Sequence, residues 1–489
     1  MIRNFNYKIV LRIIGTLLLL ESIFILSTII VSLIYQESDW VYFLGTAAFS
    51  ALIGALLLLL TRNTNKDLGK REGAVIVTFT WIIFSFIGLL PYWLSDAIPS
   101  FTDAFFETMS GFTTTGSSIL NNIEDLSHSM LFWRSLTHWI GGMGIIVISL
   151  ALLPMFSYSN MYLFGQETGG PQKEKLHAKV SATAQRLWII YAGLTFAEII
   201  LLRIGNMDWF DAVCHSFATI ATGGFSTKQA SIGYWNSPYI QYIIILFMIL
   251  SGINFSLYYF TLKRRFEKVL KNEELKWFLL VVFSFSIIVS ISLINWNTVN
   301  TFYTFEKAFR ESLFQISSCM TTTGFITTDY MLWKPFTWFI VIIVMLMGAS
   351  AGSTSGAIKT VRIVIIFKYL YYEFKRIIHP NAVIRVKFSG EALKDEVVLK
   401  VIAFVLLYLF IVAIGIFVLT LNGLELLDSI GSVVACLGGV GPGMGITGPA
   451  FSFSEIPMFS KWFLAFLMLV GRLELYTFLL LFTPVFWKK

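Results

Sequence analysis

The chain has 489 residues and a mean hydropathy of +0.75, with 56% hydrophobic and only 13% charged residues. Those values exclude a soluble globular protein. Apolar runs of about 20 residues recur along the whole length, so the chain reads as a polytopic integral membrane protein. The net charge of +7 therefore bears first on topology, and no basic stretch interleaved with aromatics in a soluble segment argues for nucleic-acid binding.

The first apolar run, Ile13 to Tyr35, follows Arg3, Lys8 and Arg12. It is too long for a signal peptide and lacks a small-residue cleavage site, so it is expected to be a retained membrane helix. Basic residues then cluster in short segments. Arg62, Lys66, Lys70 and Arg71 form one; Lys173, Lys175, Lys179 and Arg186 another. Further clusters run from Lys263 to Lys276 and from Lys368 to Lys394, and Lys488 and Lys489 end the chain. The positive-inside rule puts all of them, with both termini, on the cytoplasmic side. Ten spans are predicted, at 12–35, 40–61, 74–95, 131–154, 187–204, 238–262, 277–295, 335–370, 397–420 and 461–486. The external segment 96–133 has no Lys or Arg but carries Asp96, Asp103, Glu107, Glu124 and Asp125. Such acids are either a solvated face or a means of concentrating cations.

The last eight predicted spans form pairs, each joined externally by a segment of one pattern. An apolar or amphipathic stretch comes first: FTDAFFETMSGF, WFDAVCHSFATI, FEKAFRESLFQISSCM, LLDSIGSVVACL. It runs into TTTGSS, ATGGFS, TTTGFI or GGVGPG, with Gly116, Gly224, Gly324 and Gly441 in register. This is a fourfold internal repeat. Irregular backbone at membrane depth is tolerated only when buried in protein or lining a watery cavity. The C-terminus of a half-helix favours a cation, and an extended Thr-x-Gly segment can aim carbonyls at an axis. The expected fold is thus all-α, with ten transmembrane helices, the last eight forming four helix–pore-loop–helix repeats around a pseudo-fourfold pore. The expected selectivity filter has four walls, contacting the ion mainly through backbone carbonyls. They are Thr114, Thr115 and Gly116; Thr222, Gly223 and Gly224; Thr322, Thr323 and Gly324; and Gly439, Val440 and Gly441.

The eighth predicted span has about 36 residues where roughly 20 suffice. Its middle, MGASAGSTSGAIKT, is small and hydroxylic, which predicts either a close helix contact or a mobile loop dividing two half-helices. Gly348, Gly352, Ser353, Thr354, Gly356 and Lys359 lie there. Arg472 falls near the centre of the last predicted span, and an ionisable residue at that depth is a functional candidate. It is expected to contact the 347–360 loop and raise the barrier to cations; the alternative is a structural carbonyl clamp or ion pair. Glu474 is a poor local partner for it. The three cysteines are isolated, and His138 reads as a hydrogen-bonded core residue. GMGITG at 443–448 matches a dinucleotide pattern but follows no strand, so the match is accidental.

FWRSLTHWIGGMGI, GQETGGP, GASAGSTSGAIKT and GRLELYTFLLLFTPVFW resemble signatures of the Trk/Ktr/HKT superfamily of cation transporters. The resemblance covers nearly the whole chain, and the two extra N-terminal spans favour its Trk branch. It implies potassium uptake (rubidium also) through glycine-lined walls in a bacterial inner membrane, and an intramembrane loop obstructing conduction. It further implies a homodimer seated on a cytosolic, TrkA-like ring of nucleotide-binding subunits, since this chain has no such domain and binds no cofactor itself. The basic loops 157–186, 263–276 and 368–400 are candidates for that contact or for anionic lipid. Gly438-Gly439 departs from the asparagine pair often found in the family. The expected divisions are 1–70 (extra helices), 71–160, 161–270, 271–390 and 391–489 (pore repeats). A sodium- or proton-coupled carrier and a less selective channel share this pattern. An intramembrane enzyme would need a catalytic set, and none is evident.

Overall fold

The computed structural model describes residues 5–63, 69–152, 173–294, 301–382 and 384–487. Lys66, Lys488, Lys489, Arg3, the GQETGGP motif and most of the 157–186 loop lie outside the described residues. The chain is helical almost throughout. Among the described residues, six helices are long and apolar enough to cross a membrane: Tyr7–Ile34, Trp40–Leu60, Arg71–Leu94, Ala184–Ile204, Glu273–Leu293 and Asp395–Leu421. The protein is accordingly a multi-pass, all-α membrane protein.

Three predicted spans are not single helices. The sixth bends by 96° between Pro238–Gly252 and Phe255–Leu262, and the last by 109° between Met458–Arg472 and Tyr476–Phe482. Arg472 therefore ends a helix instead of sitting within one. Glu474 and Leu475, at φ of 54° and 48°, make the corner, a left-handed conformation that continues no helix. The eighth divides into Pro335–Leu346 and Thr360–Ile378. The segment between them opens and closes on a parallel two-residue pair, Met347–Gly348 with Ile358–Lys359.

Four helices lie inside the helical shell: Phe101–Phe112, Trp209–Ile220, Thr301–Met320 and Leu426–Gly438. The third has 20 residues, longer than the short element expected. Its length is no membrane span, because Glu306, Lys307, Arg310 and Glu311 crowd its middle. Each of the four is amphipathic, with an almost wholly buried C-terminal half. The N-terminal pair packs side by side through Gly15 and Gly54, where a Cβ on either would come within 2.9 Å of the other's carbonyl oxygen. That approach requires glycine.

Candidate functional site

Each inner helix ends in the same way. Its last turn closes on a left-handed residue: Thr114 (φ 53°), Thr222 (55°), Thr322 (56°) and Gly439 (69°). The next residue then donates its N–H back five positions, Thr115 to Ser110, Gly223 to Ala218, Thr323 to Ser318 and Val440 to Ala435, at 2.8–2.9 Å. This is a Schellman-type terminus. The following glycines, Gly116, Gly224, Gly324 and Gly441, again have positive φ, 79–99°. The walls are therefore not extended, as the sequence suggested, but alternate between left-handed and ordinary residues. Three of the left-handed positions hold threonine, a β-branched residue rarely found there, at about 1–2 kcal/mol each. Gly439 occupies the fourth without strain, since glycine suits this corner.

The four turns close on one another in chain order. A Cβ on Gly116 would lie 2.0 Å from the Gly223 carbonyl oxygen, and one on Gly224 would lie 1.9 Å from that of Thr323. On Gly324 it would meet the Val440 oxygen at 2.0 Å, and on Gly441 the Thr115 oxygen at 2.9 Å. Every glycine thus faces the carbonyl just before the glycine of the next wall. The oxygens of Thr115, Gly223, Thr323 and Val440 make one tier. The Thr113 and Thr115 hydroxyls meet at 2.9 Å, and those of Thr321 and Thr323 at 2.8 Å. The second wall is backed instead by His138, whose ring stacks on Phe225 and whose Nδ1 accepts the Phe225 N–H.

The segment 347–359 lies against the C-terminal ends of the inner helices. Gly356 N–H donates to the Thr322 hydroxyl at 2.8 Å, and its α-carbon presses on the Gly438 carbonyl. The Thr354 hydroxyl donates to the Ile220 carbonyl at 3.1 Å. Arg472 is buried; its Nη1 donates to Thr354 O at 2.8 Å and its Nη2 to Gly141 O at 2.9 Å. Gly141 in turn abuts the Phe112 carbonyl, so the contacts reach all four helix ends. Lys359 folds back onto the Ser355 hydroxyl and carbonyl. Gly348 is pressed against the Gly356 carbonyl, and Gly352, at φ 75°, against Asn254. The Ser353 hydroxyl stays inside the loop, on Ser350 O and Ser355.

Three groups missed by the sequence reading complete the site. Glu274 accepts from the Ala351 and Val361 amides at 2.7 and 3.3 Å, tying both ends of the loop. Glu474 pairs with Arg362 at 2.5 Å, across 112 residues, which no local spacing rule reaches. Glu107 is 1% exposed and paired with Arg134 at 2.6 Å, so it is no solvated external acid. Its signal was in the sequence: it stands in the same register as His215, Gln315 and Ser432, nine positions before each wall glycine.

The profile of the TrkH family, described as cation transport protein, matches residues 41–489. The Trk system potassium uptake protein TrkH of Escherichia coli (strain K12) is 37% identical over 487 residues, covering 99% of this chain and all of that one. TrkG of the same strain is 34% identical, with 99% of each chain covered. The crystal structure of the potassium transporter TrkH from Vibrio parahaemolyticus superposes with a TM-score of 0.90 at 34% identity, over 99% of this chain and 100% of that one.

Proposed function

The chain belongs to the TrkH family of cation transport proteins, which makes it a transporter and not an enzyme; from that premise we propose that it takes up potassium through the closed ring of four walls. The observation that carries this reading is the tier of carbonyl oxygens, one from each wall, each held by the glycine of its neighbour. A ring of backbone carbonyl oxygens can replace the hydration shell of a monovalent cation. The four helix C-termini behind them add partial negative charge where the ion loses its water. Four helix–pore-loop–helix repeats, 71–160, 161–270, 271–390 and 391–489, supply the walls in this reading, within ten spans, and 1–70 flanks them.

The loop 347–359 is the gate. It lies under the ring, and Arg472 holds it there by the Thr354 carbonyl while placing a guanidinium close to the ion's exit. A cation leaving the ring meets that charge and the Lys359 ammonium before it reaches the cytoplasm. Opening requires the Arg472–Thr354 and Thr322–Gly356 bonds to part. Both termini are cytoplasmic in a bacterial inner membrane. A homodimer on a TrkA-like nucleotide-binding ring would act on the loop from the basic segments 263–276 and 368–400. Those two segments meet, through Lys368 on Glu273 and the Ser389 amide on the same carboxylate at 2.8 Å.

The test is reconstitution in liposomes with potassium, rubidium and sodium flux under imposed voltage, beside Gly116→Ser. Potassium and rubidium flux well above sodium, with selectivity weakened by the serine, is the expected result. Equal sodium and potassium flux in the wild type would overturn the selective filter and leave a general cation pathway.

A further inference from the structure

Aligned on the wall glycines, the inner helices share two polar positions on one face. Thirteen residues before the glycine stand Asp103, Asp211, Glu311 and Asp428; nine before it stand Glu107, His215, Gln315 and Ser432. Asp103, Asp211 and Asp428 lie in the first turn of their helices, where an acid suits the dipole; Glu311 lies in the middle of its longer helix. The second column has a different use: each member reaches the chain leaving its own wall. The Ser118 hydroxyl and Ile119 amide donate to Glu107 at 3.0 and 2.9 Å. His215 Nε2 meets the Ser226 hydroxyl at 2.9 Å, Gln315 donates to Thr328 O at 3.2 Å, and Ser432 meets Thr447 at 3.1 Å.

Neighbouring walls are also tied together just beyond the glycines. Walls two and three share the Gly233 amide on Ile326 O and the Ile326 amide on the Ser231 hydroxyl, at 3.1 and 3.2 Å. Tyr330 donates to Gly443 O at 2.5 Å between walls three and four. Ser117 donates to Gly441 O at 2.9 Å between four and one. These are neutral bonds. Between walls one and two the tie is ionic and buried on both sides, unlike the Lys461–Asp103 pair at 2.6 Å between Met458–Arg472 and the first inner helix, whose carboxylate is partly exposed. Arg134 gives Nε to Glu107 at 2.6 Å and Nη1 to Ser226 O at 2.9 Å, and its guanidinium covers the Phe225 ring at 3.6 Å.

We infer that the Glu107–Arg134 pair is a positioning strut that holds walls one and two in register and thereby sets the ion selectivity of the ring, an inference that rests on the ring being the filter. Stability alone is a weak reason to bury such a pair, since well-packed apolar residues do as well or better. Geometry is a stronger one. A guanidinium makes the three contacts at once from a rigid fork, and an ammonium does not. The carboxylate takes the arginine and two groups of wall one together, so a shift of either wall breaks bonds in both.

The experiment measures rubidium-to-sodium flux ratios in proteoliposomes for wild type, Glu107→Gln, Arg134→Lys and Ser118→Ala, with monodispersity in detergent as the check on folding. Glu107→Gln and Arg134→Lys are expected to conduct with a ratio reduced about tenfold, as a buried charge loses its fitted partner. Because Arg134→Lys keeps the charge, rescue by lysine would overturn a role for the fork. Ser118→Ala leaves the pair intact and removes the hydroxyl's bond to Glu107 together with the one it accepts from the Leu120 amide, for a fall of about twofold to threefold; it decides the matter if the other two do not fold. A wild-type ratio in the folded variants overturns the strut alone. An unselective wild type overturns the filter reading beneath it, and the two failures are distinct.

Discussion

The ring and the loop beneath it are built from the same small residues, held in different ways. In the ring, glycine is required by contact: each α-carbon lies where a side chain would penetrate the neighbouring wall's carbonyl, and each wall is bonded to the next beyond the glycine. Moving one wall disturbs its neighbours. In the loop, several serine and threonine bonds are satisfied inside the loop, such as Ser353 to Ser350 at 2.6 Å, and the bonds that cross to the ring are few and single. The difference teaches that Gly, Ser and Thr in a membrane chain encode two opposite properties. Close backbone approach makes an assembly fixed; isolated hydroxyl and guanidinium bonds make one that can part, as the proposed gate requires.

The comparison breaks most directly at the ring. Gly324→Ala sets a Cβ 2.0 Å from the Val440 oxygen at φ 80°, a position where strain is of order 1–3 kcal/mol before any clash. Potassium-over-sodium selectivity is expected to fall more than tenfold by the flux assay, and preserved selectivity would mean the tier is not what selects. At the loop, Arg472→Ala removes a cation and its bond to Thr354. Flux should rise about tenfold, a barrier change of about 1.4 kcal/mol, with the ion ratio unchanged; equal flux in a folded variant would sink the gate.

Gly439→Thr sharpens the contrast inside the ring. A Cβ there meets nothing within 4 Å, so only the left-handed strain of about 1–2 kcal/mol is added. A small drop in melting temperature with selectivity intact is expected, and loss of selectivity would show that the walls are not interchangeable at this corner. The smallest effect belongs to a region touching neither ring nor loop. Glu37, in the turn joining the first two helices, is pushed up by burial, but the Ser129 and His128 amides outweigh this and leave its carboxyl below the ordinary glutamate range. A depressed folded pKa gives stability that is present above the unfolded value and lost as pH falls through the folded one. Thermal stability should therefore decline as pH drops below the ordinary glutamate range, less steeply in Glu37→Gln; identical profiles would show that the carboxylate adds nothing.

Much of this arrangement was legible in the chain. Long apolar runs mark helices because backbone groups in lipid must be satisfied internally. The four glycine turns stood in register, and with them, unread, the column of Glu107, His215, Gln315 and Ser432. The breaks after Gly252 and Arg472 were not legible, since the two half-helices taken together are as long and apolar as a continuous span. Neither was the alternating backbone of the walls, because threonine is an uncommon residue at positive φ.

By itself the sequence determined the membrane class and the four glycine turns in register, for these follow from composition and local spacing. The tertiary structure alone decided the order in which the walls close, with Gly116 on Gly223 and Gly441 on Thr115. It also decided that Arg472 bridges Thr354 and Gly141, 118 and 331 residues away. Hydrogen-bond partners at such separations are chosen by where packed helices bring backbone carbonyls together, and a carbonyl carries no mark of its use in the sequence.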